Sequence, residues 1–121
     1  MKLDSFDFNT GWKRKDSIQL ADRKYEVTIK IQAYSKEDSL TAEQEANVDE
    51  YLSSGLEWIK AIDKKLCEYA ENYLERFVPR TMLFKKDGDV ALLCDDNDDP
   101  DGGIAVCVKP SLEIKLQDDY L

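Results

Sequence analysis

The chain has 121 residues, of which 42% are hydrophobic and 10% aromatic, and its formal net charge at pH 7 is −9. This length and composition are typical of one globular domain, residues 1–121, and exclude a disordered polypeptide. There is no apolar run of the roughly 20 residues that a membrane-spanning helix needs. The first residues also lack the apolar stretch of a secretory signal, so we expect a cytoplasmic protein with no membrane partner.

The chain contains no histidine and three cysteines. Without imidazole, it lacks the usual neutral-pH base and a main ligand of zinc. The cysteines form no CxxC pair, and Cys94, Cys107 and Cys67 are interpreted as packed thiols. We therefore predict that the protein is not an enzyme, and we name no catalytic residue and no cofactor.

The charge is unevenly distributed, because residues 1–36 are net basic whereas residues 37–121 are acidic. An acidic body is repelled by phosphate groups, so we expect no nucleic-acid partner. It attracts a basic protein and accelerates their encounter. Solubility alone is the alternative explanation of the charge.

The N-terminal part of the chain predicts strands. Leu3–Phe8 alternates apolar and polar residues, which predicts a short edge strand. Ser17–Leu20 and Tyr25–Tyr34 predict two strands of a hairpin. Tyr25–Tyr34 has a period of two residues, so we expect one buried face and one solvated face.

The middle of the chain predicts two helices. Thr41 and Gln44 fit a capping box at the start of a helix of about 12 residues. Gly55 fits a left-handed cap at its end, although one continuous kinked helix stays open as an alternative. Leu56–Phe77 carries an apolar stripe at helical spacing and predicts a longer helix that Pro79 ends. The core residues expected on this helix are Ile62, Leu66 and Tyr69.

The C-terminal part predicts strands again. Thr81–Phe84 and Val90–Cys94 flank Asp87-Gly88, a strong hairpin signal. Beyond an acidic loop at Asp95–Gly103, two more strands are predicted, Ile104–Val108 and Leu112–Gln117. The order strands–helices–strands predicts an α+β fold, with an antiparallel sheet of five to six strands packed on two helices, one of them long.

The acidic loop offers oxygen ligands at alternating positions, Asn97, Asp99 and Asp101, followed by Gly102. Hard cations such as calcium prefer these ligands. The position of the bidentate glutamate in a calcium loop is Val108, however, and no helix flanks the loop. A cation site at Asn97, Asp99 and Asp101 is one prediction, and a solvated turn between two strands is the other.

Several large aromatic residues lie beside acids, a composition typical of protein-binding surfaces. Trp58 lies off the main helical stripe, so it is expected outside the core, with packing as the alternative. The candidate partner-binding residues are Trp58, Tyr34, Tyr120, Asp118 and Asp119.

Short motifs give the chain a family likeness. They are Trp12 ahead of a hairpin, the helix-opening Gln44 with Tyr51-Leu52, the segment Asp99–Val106 and the C-terminal Gln117–Leu121. The chain resembles an uncharacterised family of small acidic bacterial domains of immunity-protein-like type, although Gly102 stands where that pattern has a glutamate. The resemblance implies an α+β fold and a bacterial cytosolic setting, and it supplies no functional residues.

These observations predict a non-enzymatic protein-binding module. The narrower form of the prediction is an immunity-type protein that neutralises a basic toxin or nuclease. The alternative is divalent-cation binding, calcium in particular, through residues 95–101. The sequence leaves the oligomeric state open between a monomer and a homodimer.

Overall fold

The computed structural model describes Leu3 and residues 5–121. Its strands form one sheet of seven strands, and each strand lies beside the strand that precedes it in the chain. The elements in chain order are β1 (Asp7–Phe8), β2 (Trp12–Leu20), β3 (Arg23–Ile31), α1 (Ala42–Tyr69), α2 (Tyr73–Arg76), β4 (Phe77–Phe84), β5 (Val90–Asp96), β6 (Asp99–Lys109), β7 (Glu113–Leu116) and α3 (Gln117–Tyr120).

The sheet is mixed, because β3 and β4 run parallel while every other neighbouring pair is antiparallel. A parallel pair needs a long crossover, and α1 and α2 supply it. The predicted α+β class is confirmed. The prediction of five to six strands, all antiparallel, is wrong, since periodicity within a strand does not identify its neighbour.

Helix α1 spans 28 residues and consists of two helical segments joined by a kink at Ser54, whose φ of −135° and ψ of 20° are not helical. The predicted first helix of about 12 residues corresponds to the segment before this kink. The predicted capping box of Thr41 and Gln44 is present. Gly55 is not a helix end. It lies under the Tyr51 ring, and a Cβ atom there would approach the ring to 3.0 Å. The Ser53 hydroxyl donates to the Asp49 carbonyl at 3.0 Å, a back-bond that often bends helices.

The long helix ends at Tyr69 rather than at Phe77. Pro79 disfavours helical backbone at the residue before it, so the segment that begins at Phe77 continues as strand β4. Ile62 and Leu66 are completely buried, as expected. Tyr69 is 49% exposed, so its assignment to the core is wrong.

Helix α1 covers one face of the sheet, which we call the helix face. The main core lies between helix α1 and this face. The opposite face, which we call the outer face, carries a smaller cluster in which Tyr120 packs on Leu83 and Cys107. The Tyr120 hydroxyl is buried and has no hydrogen-bond partner among the described residues.

The cysteines are all free, and Cys94 and Cys107 are buried. Cys94 belongs to the core of the helix face and Cys107 to the cluster of the outer face. The sheet therefore separates the two thiols, which excludes a disulfide between them in this fold. Cys67 is exposed, so the expectation that it is packed is wrong.

Both ends of the chain differ from their predicted secondary structure. Of the edge strand predicted at Leu3–Phe8, Asp7–Phe8 forms β1, and Asp4 lies outside the described residues. At the other end, Gln117–Tyr120 forms a single helical turn that returns over the outer face.

Gln44 links the start of α1 to the sheet. Its side chain is completely buried. The amide nitrogen donates to the carbonyls of Gln32 (2.8 Å) and Phe84 (3.2 Å), and the amide oxygen accepts from the Thr41 N–H at 3.0 Å. One side chain thus joins the helix cap to the ends of the parallel strands β3 and β4.

We predict that Gln44→Met lowers the free energy of unfolding by about 1–3 kcal/mol, because methionine fits the volume but leaves buried polar groups unpaired. Urea unfolding followed by circular dichroism measures the change. The matched control is Glu45→Met at an exposed position of the same turn, which should stay within about 0.5 kcal/mol of the wild type. Equal stabilities of the two variants would contradict this role of Gln44.

Candidate functional site

Strand β2 has an open edge. On its outer side β1 pairs only with Trp12 and Lys13, whereas β3 pairs along the whole inner side of β2. Among the described residues, no strand pairs with the outer side of residues 14–20. The backbone N–H and C=O groups that point outward there form a template for another strand.

One hydrogen bond indicates which backbone groups point outward. The Ser17 N–H donates to the Asp16 carboxylate at 2.9 Å, so it is not used in pairing with β3. Because paired and unpaired positions alternate in an antiparallel ladder, the backbone groups of Lys15, Ser17 and Gln19 face outward. Asp16 therefore occupies part of the edge where a partner strand would pair.

A groove of about 500 Å³ lies between this edge and the kinked part of α1. Leu52 and Leu56 line it, with exposed fractions of 46% and 67%. Ile18 and Ile59 also line it, and both belong to the buried core. Large apolar side chains are therefore exposed next to unpaired backbone groups.

The polar groups of the groove belong mainly to β2. Arg14 lies 3.6 Å from the Asp16 carboxylate and donates to the Ser5 hydroxyl at 3.1 Å. Burial, with the nearby charge of Asp16, raises the pKa of Tyr51 to about 12. The Tyr51 phenol therefore stays protonated at pH 7 and can donate a hydrogen bond.

On the outer face, the same edge is basic. Lys13 and Lys30 lie directly opposite each other on β2 and β3, and like charges in such a pair are destabilising. Neither makes an ion pair with a described residue, nor does Lys24. Lys15 lies 3.8 Å from Glu26 and donates to the Thr28 hydroxyl at 3.1 Å. We call Lys13, Lys15, Lys24 and Lys30 the lysine patch, which also contains two acids, Asp7 opposite Lys13 and Glu26 opposite Ser17.

The acidic segment is a hairpin rather than a loop. Asp96 pairs with Asp99, so only Asn97 and Asp98 form the turn, and most of the predicted loop Asp95–Gly103 belongs to strands. The Arg76 guanidinium donates to both carboxylate oxygens of Asp96 at 3.0 Å. The Asn97 N–H also donates to the Arg76 carbonyl at 2.7 Å, which ties the hairpin to α2.

The predicted cation ligands lie around this turn. The Asn97 side chain donates to the Glu75 carbonyl at 2.8 Å, and Asp99 and Asp101 are exposed on β6. Within the described residues, no group of three or more cysteine, aspartate or glutamate side chains is arranged to hold a metal ion. The calcium site at Asn97, Asp99 and Asp101 stays a prediction, which calorimetric titration of the wild type and an Asp99→Ala/Asp101→Ala variant tests.

The predicted partner-binding residues differ in burial and in the face of the sheet on which they lie. Trp58 is only 7% exposed, and its indole N–H donates to the Glu50 carboxylate at 2.6 Å. The expectation that Trp58 lies outside the core is therefore wrong, and the alternative, a packed side chain, is confirmed. Tyr120 is buried on the outer face. Tyr34 is 84% exposed beside Lys86, while Asp118 and Asp119 are exposed on α3.

Sequence reasoning missed the β2 edge and its groove. Two signals were present. Lys13 and Lys15 alternate with other residues in a strand-like pattern, and Leu56 precedes the buried stripe of α1 without belonging to it. Neither signal identifies β2 as an edge, because that depends on which strands pair with it.

Buried phenols and thiols have raised pKa values. A hydrogen bond to Asp63, followed by burial, raises the pKa of Tyr73 to about 12. Burial raises the pKa of Cys94 to about 12 and also raises that of Cys107. These groups are protonated at pH 7 at their ordinary pKa values, and the shifts extend that protonation to higher pH.

The Arg76–Asp96 pair predicts a pH-dependent stability. Hydrogen bonds from Arg76 hold the pKa of Asp96 below its usual value in the folded state. The resulting stabilisation is present above the unfolded-state pKa of about 4 and is lost as the pH falls through the folded-state pKa. We predict that Asp96→Asn is less stable than the wild type at pH 7 and that this difference shrinks toward pH 2. Urea unfolding at several pH values measures it, and a difference independent of pH would contradict the pairing.

Within the described residues, none of the helices combines the length and apolar character that a membrane crossing requires. A scan against protein-family models and searches of curated proteins and of solved structures found no match to this chain.

Proposed function

We propose that this chain is a non-enzymatic protein-binding module that uses the open edge of β2 and the adjacent groove. The observation that carries the proposal is the coincidence of unpaired strand backbone at residues 14–20 with the exposed side chains of Leu52 and Leu56. Either feature alone is common on protein surfaces. Together they provide the backbone hydrogen bonds and the apolar contacts that strand addition requires.

The size of the edge limits what can bind. Seven open residues at about 3.4 Å each extend for roughly 24 Å, which accommodates one strand of ordinary length. A partner strand would pair with the backbone of Lys15, Ser17 and Gln19. Its side chains on the helix face would lie near Leu52 and Leu56 and add apolar contact area to the hydrogen bonds.

The charge of the chain favours a basic protein as the partner. A net charge of −9 accelerates encounter with a positively charged protein through long-range attraction. An immunity-type protein that neutralises a basic toxin or nuclease in a bacterial cytoplasm is the narrower form of this proposal. Its support is this charge together with the resemblance described above.

We predict that Ser17→Pro abolishes capture of the partner from a lysate of the source organism. Proline removes the outward N–H of Ser17, and proline is tolerated on edge strands at such positions. The matched control, Ser17→Ala, keeps the N–H and should capture the partner as the wild type does. Leu56→Ser, which removes the exposed apolar contact without adding a charge, should also lose capture.

The measurement is affinity capture at low and high salt, with the fold of each variant checked by circular dichroism. A basic protein that is retained by the wild type and Ser17→Ala but not by Ser17→Pro supports the edge. Equal capture by a folded Ser17→Pro variant would exclude it.

A further inference from the structure

We infer that the segment bound at the β2 edge is an extended strand with alternating apolar and acidic side chains, contributed by another protein. This inference rests on the proposed function and specifies the chemistry of the partner segment. It follows from the different character of the two faces of the sheet at this edge.

A strand added to β2 continues the pleat of the sheet, so its successive side chains point to opposite faces. On the helix face they meet the groove lined by Leu52 and Leu56. On the outer face they meet the lysine patch. The added segment therefore needs apolar residues at every second position and a different side chain at the positions between them.

The lysine patch determines the chemistry of those intermediate positions. Lys15 lies on the open part of the edge and Lys24, opposite Gln19, lines the edge groove. A second groove, of about 480 Å³, is lined by Lys13, Lys15 and Lys30 together with Asp7. Asp7 on β1 already lies opposite Lys13, and Glu26 lies 3.8 Å from Lys15, whereas Lys24 makes no ion pair with a described residue. Carboxylates on the added strand would lie across from Lys15 and from the pair of Gln19 and Lys24, where they would add to the partner of Lys15 and supply one to Lys24.

The charge of the whole chain adds a second constraint. A net charge of −9 repels a partner that is acidic throughout. The acidic residues therefore belong to the docking strand, and the rest of the partner is neutral or basic. A second copy of this chain does not meet this requirement, because it would oppose one −9 body with another and present its own lysines at the edge.

Asp16 regulates access to the edge. Its carboxylate accepts from the Ser17 N–H, which a carbonyl of the added strand would otherwise use. Removing this carboxylate frees the N–H and also removes a negative charge from the groove. Asp16→Ala should therefore bind the segment more tightly, and a merely unfolded variant cannot produce such a gain.

The test uses the full chain and three labelled seven-residue peptides, with binding measured by fluorescence anisotropy at about 150 mM salt, where the net charge of −9 is screened and contacts at the edge decide the preference. The first peptide alternates valine and glutamate, the second alternates valine and lysine, and the third has the composition of the first in two blocks. We expect the first peptide to bind at least tenfold more tightly than the other two. We expect Asp16→Ala to tighten this binding about threefold and Leu56→Ser to weaken it at least tenfold.

Charge reversal tests the lysine patch. Lys15→Glu should reverse the preference between the glutamate and lysine peptides. The matched control is Lys115→Glu on β7, at the other edge of the sheet, which should leave the preference unchanged. Reversal by both variants would show that net charge, rather than the patch, sets the preference, and would overturn the inference.

The remaining outcomes separate this inference from the proposed function. Equal binding of the glutamate and lysine peptides, or no binding of any peptide up to about 1 mM, overturns the inference that the edge binds an alternating apolar and acidic strand. Capture of a lysate protein that Ser17→Pro abolishes would then still support the edge as a binding site. Light scattering that finds a dimer, dissociated by Ser17→Pro, would identify a second copy as the occupant and also overturn the inference.

Discussion

The parallel pairing of β3 with β4 is the constraint on which the rest of the structure depends. Two parallel strands cannot be joined by a tight turn, so the chain must cross from one end of the sheet to the other between them. Helix α1 makes that crossing and thereby covers one face. Gln44 fixes the start of the crossing by bonding to the ends of both parallel strands. The outer face is left to the lysine patch and to the short C-terminal helix.

Local signals in the sequence were sufficient for much of this architecture. The capping box at Thr41 and Gln44, the turn at Asp87-Gly88 and the burial of Ile62 each depend on residues close together in the chain. The parallel pair could not be predicted, because it joins segments about 50 residues apart and leaves no periodic pattern. The acidic turn between two strands was one of the two predictions for residues 95–103, but its short length was not predicted, since Arg76 anchors Asp96 from another element.

The candidate site was less predictable than the fold. Trp58 is buried because its ring packs against Tyr51 and Phe84, and Phe84 lies on a strand that no local sequence pattern places next to the helix. The open edge is a property of the whole sheet. Lys13 and Lys15 were visible as polar strand residues, but only the topology makes their strand an edge.

The two edges of the sheet differ in how they avoid unwanted pairing. Strand β7 is four residues long and carries Glu113 and Lys115, so it offers little backbone to another chain. The open part of β2 is longer and depends on Lys15 and Asp16 instead. Under the proposed binding role, charges of this kind would disfavour a second copy of the same edge and favour a strand of complementary charge.

The separation of Cys94 from Cys107 by the sheet gives the protein two internal reporters of local opening. Cys94 becomes accessible to a thiol reagent when α1 lifts from the helix face, and Cys107 when the Tyr120 turn leaves the outer face. Because local openings differ in free energy across a structure, the two thiols should react at different rates in the native state. Their ratio would measure how independently the two layers of this small fold open.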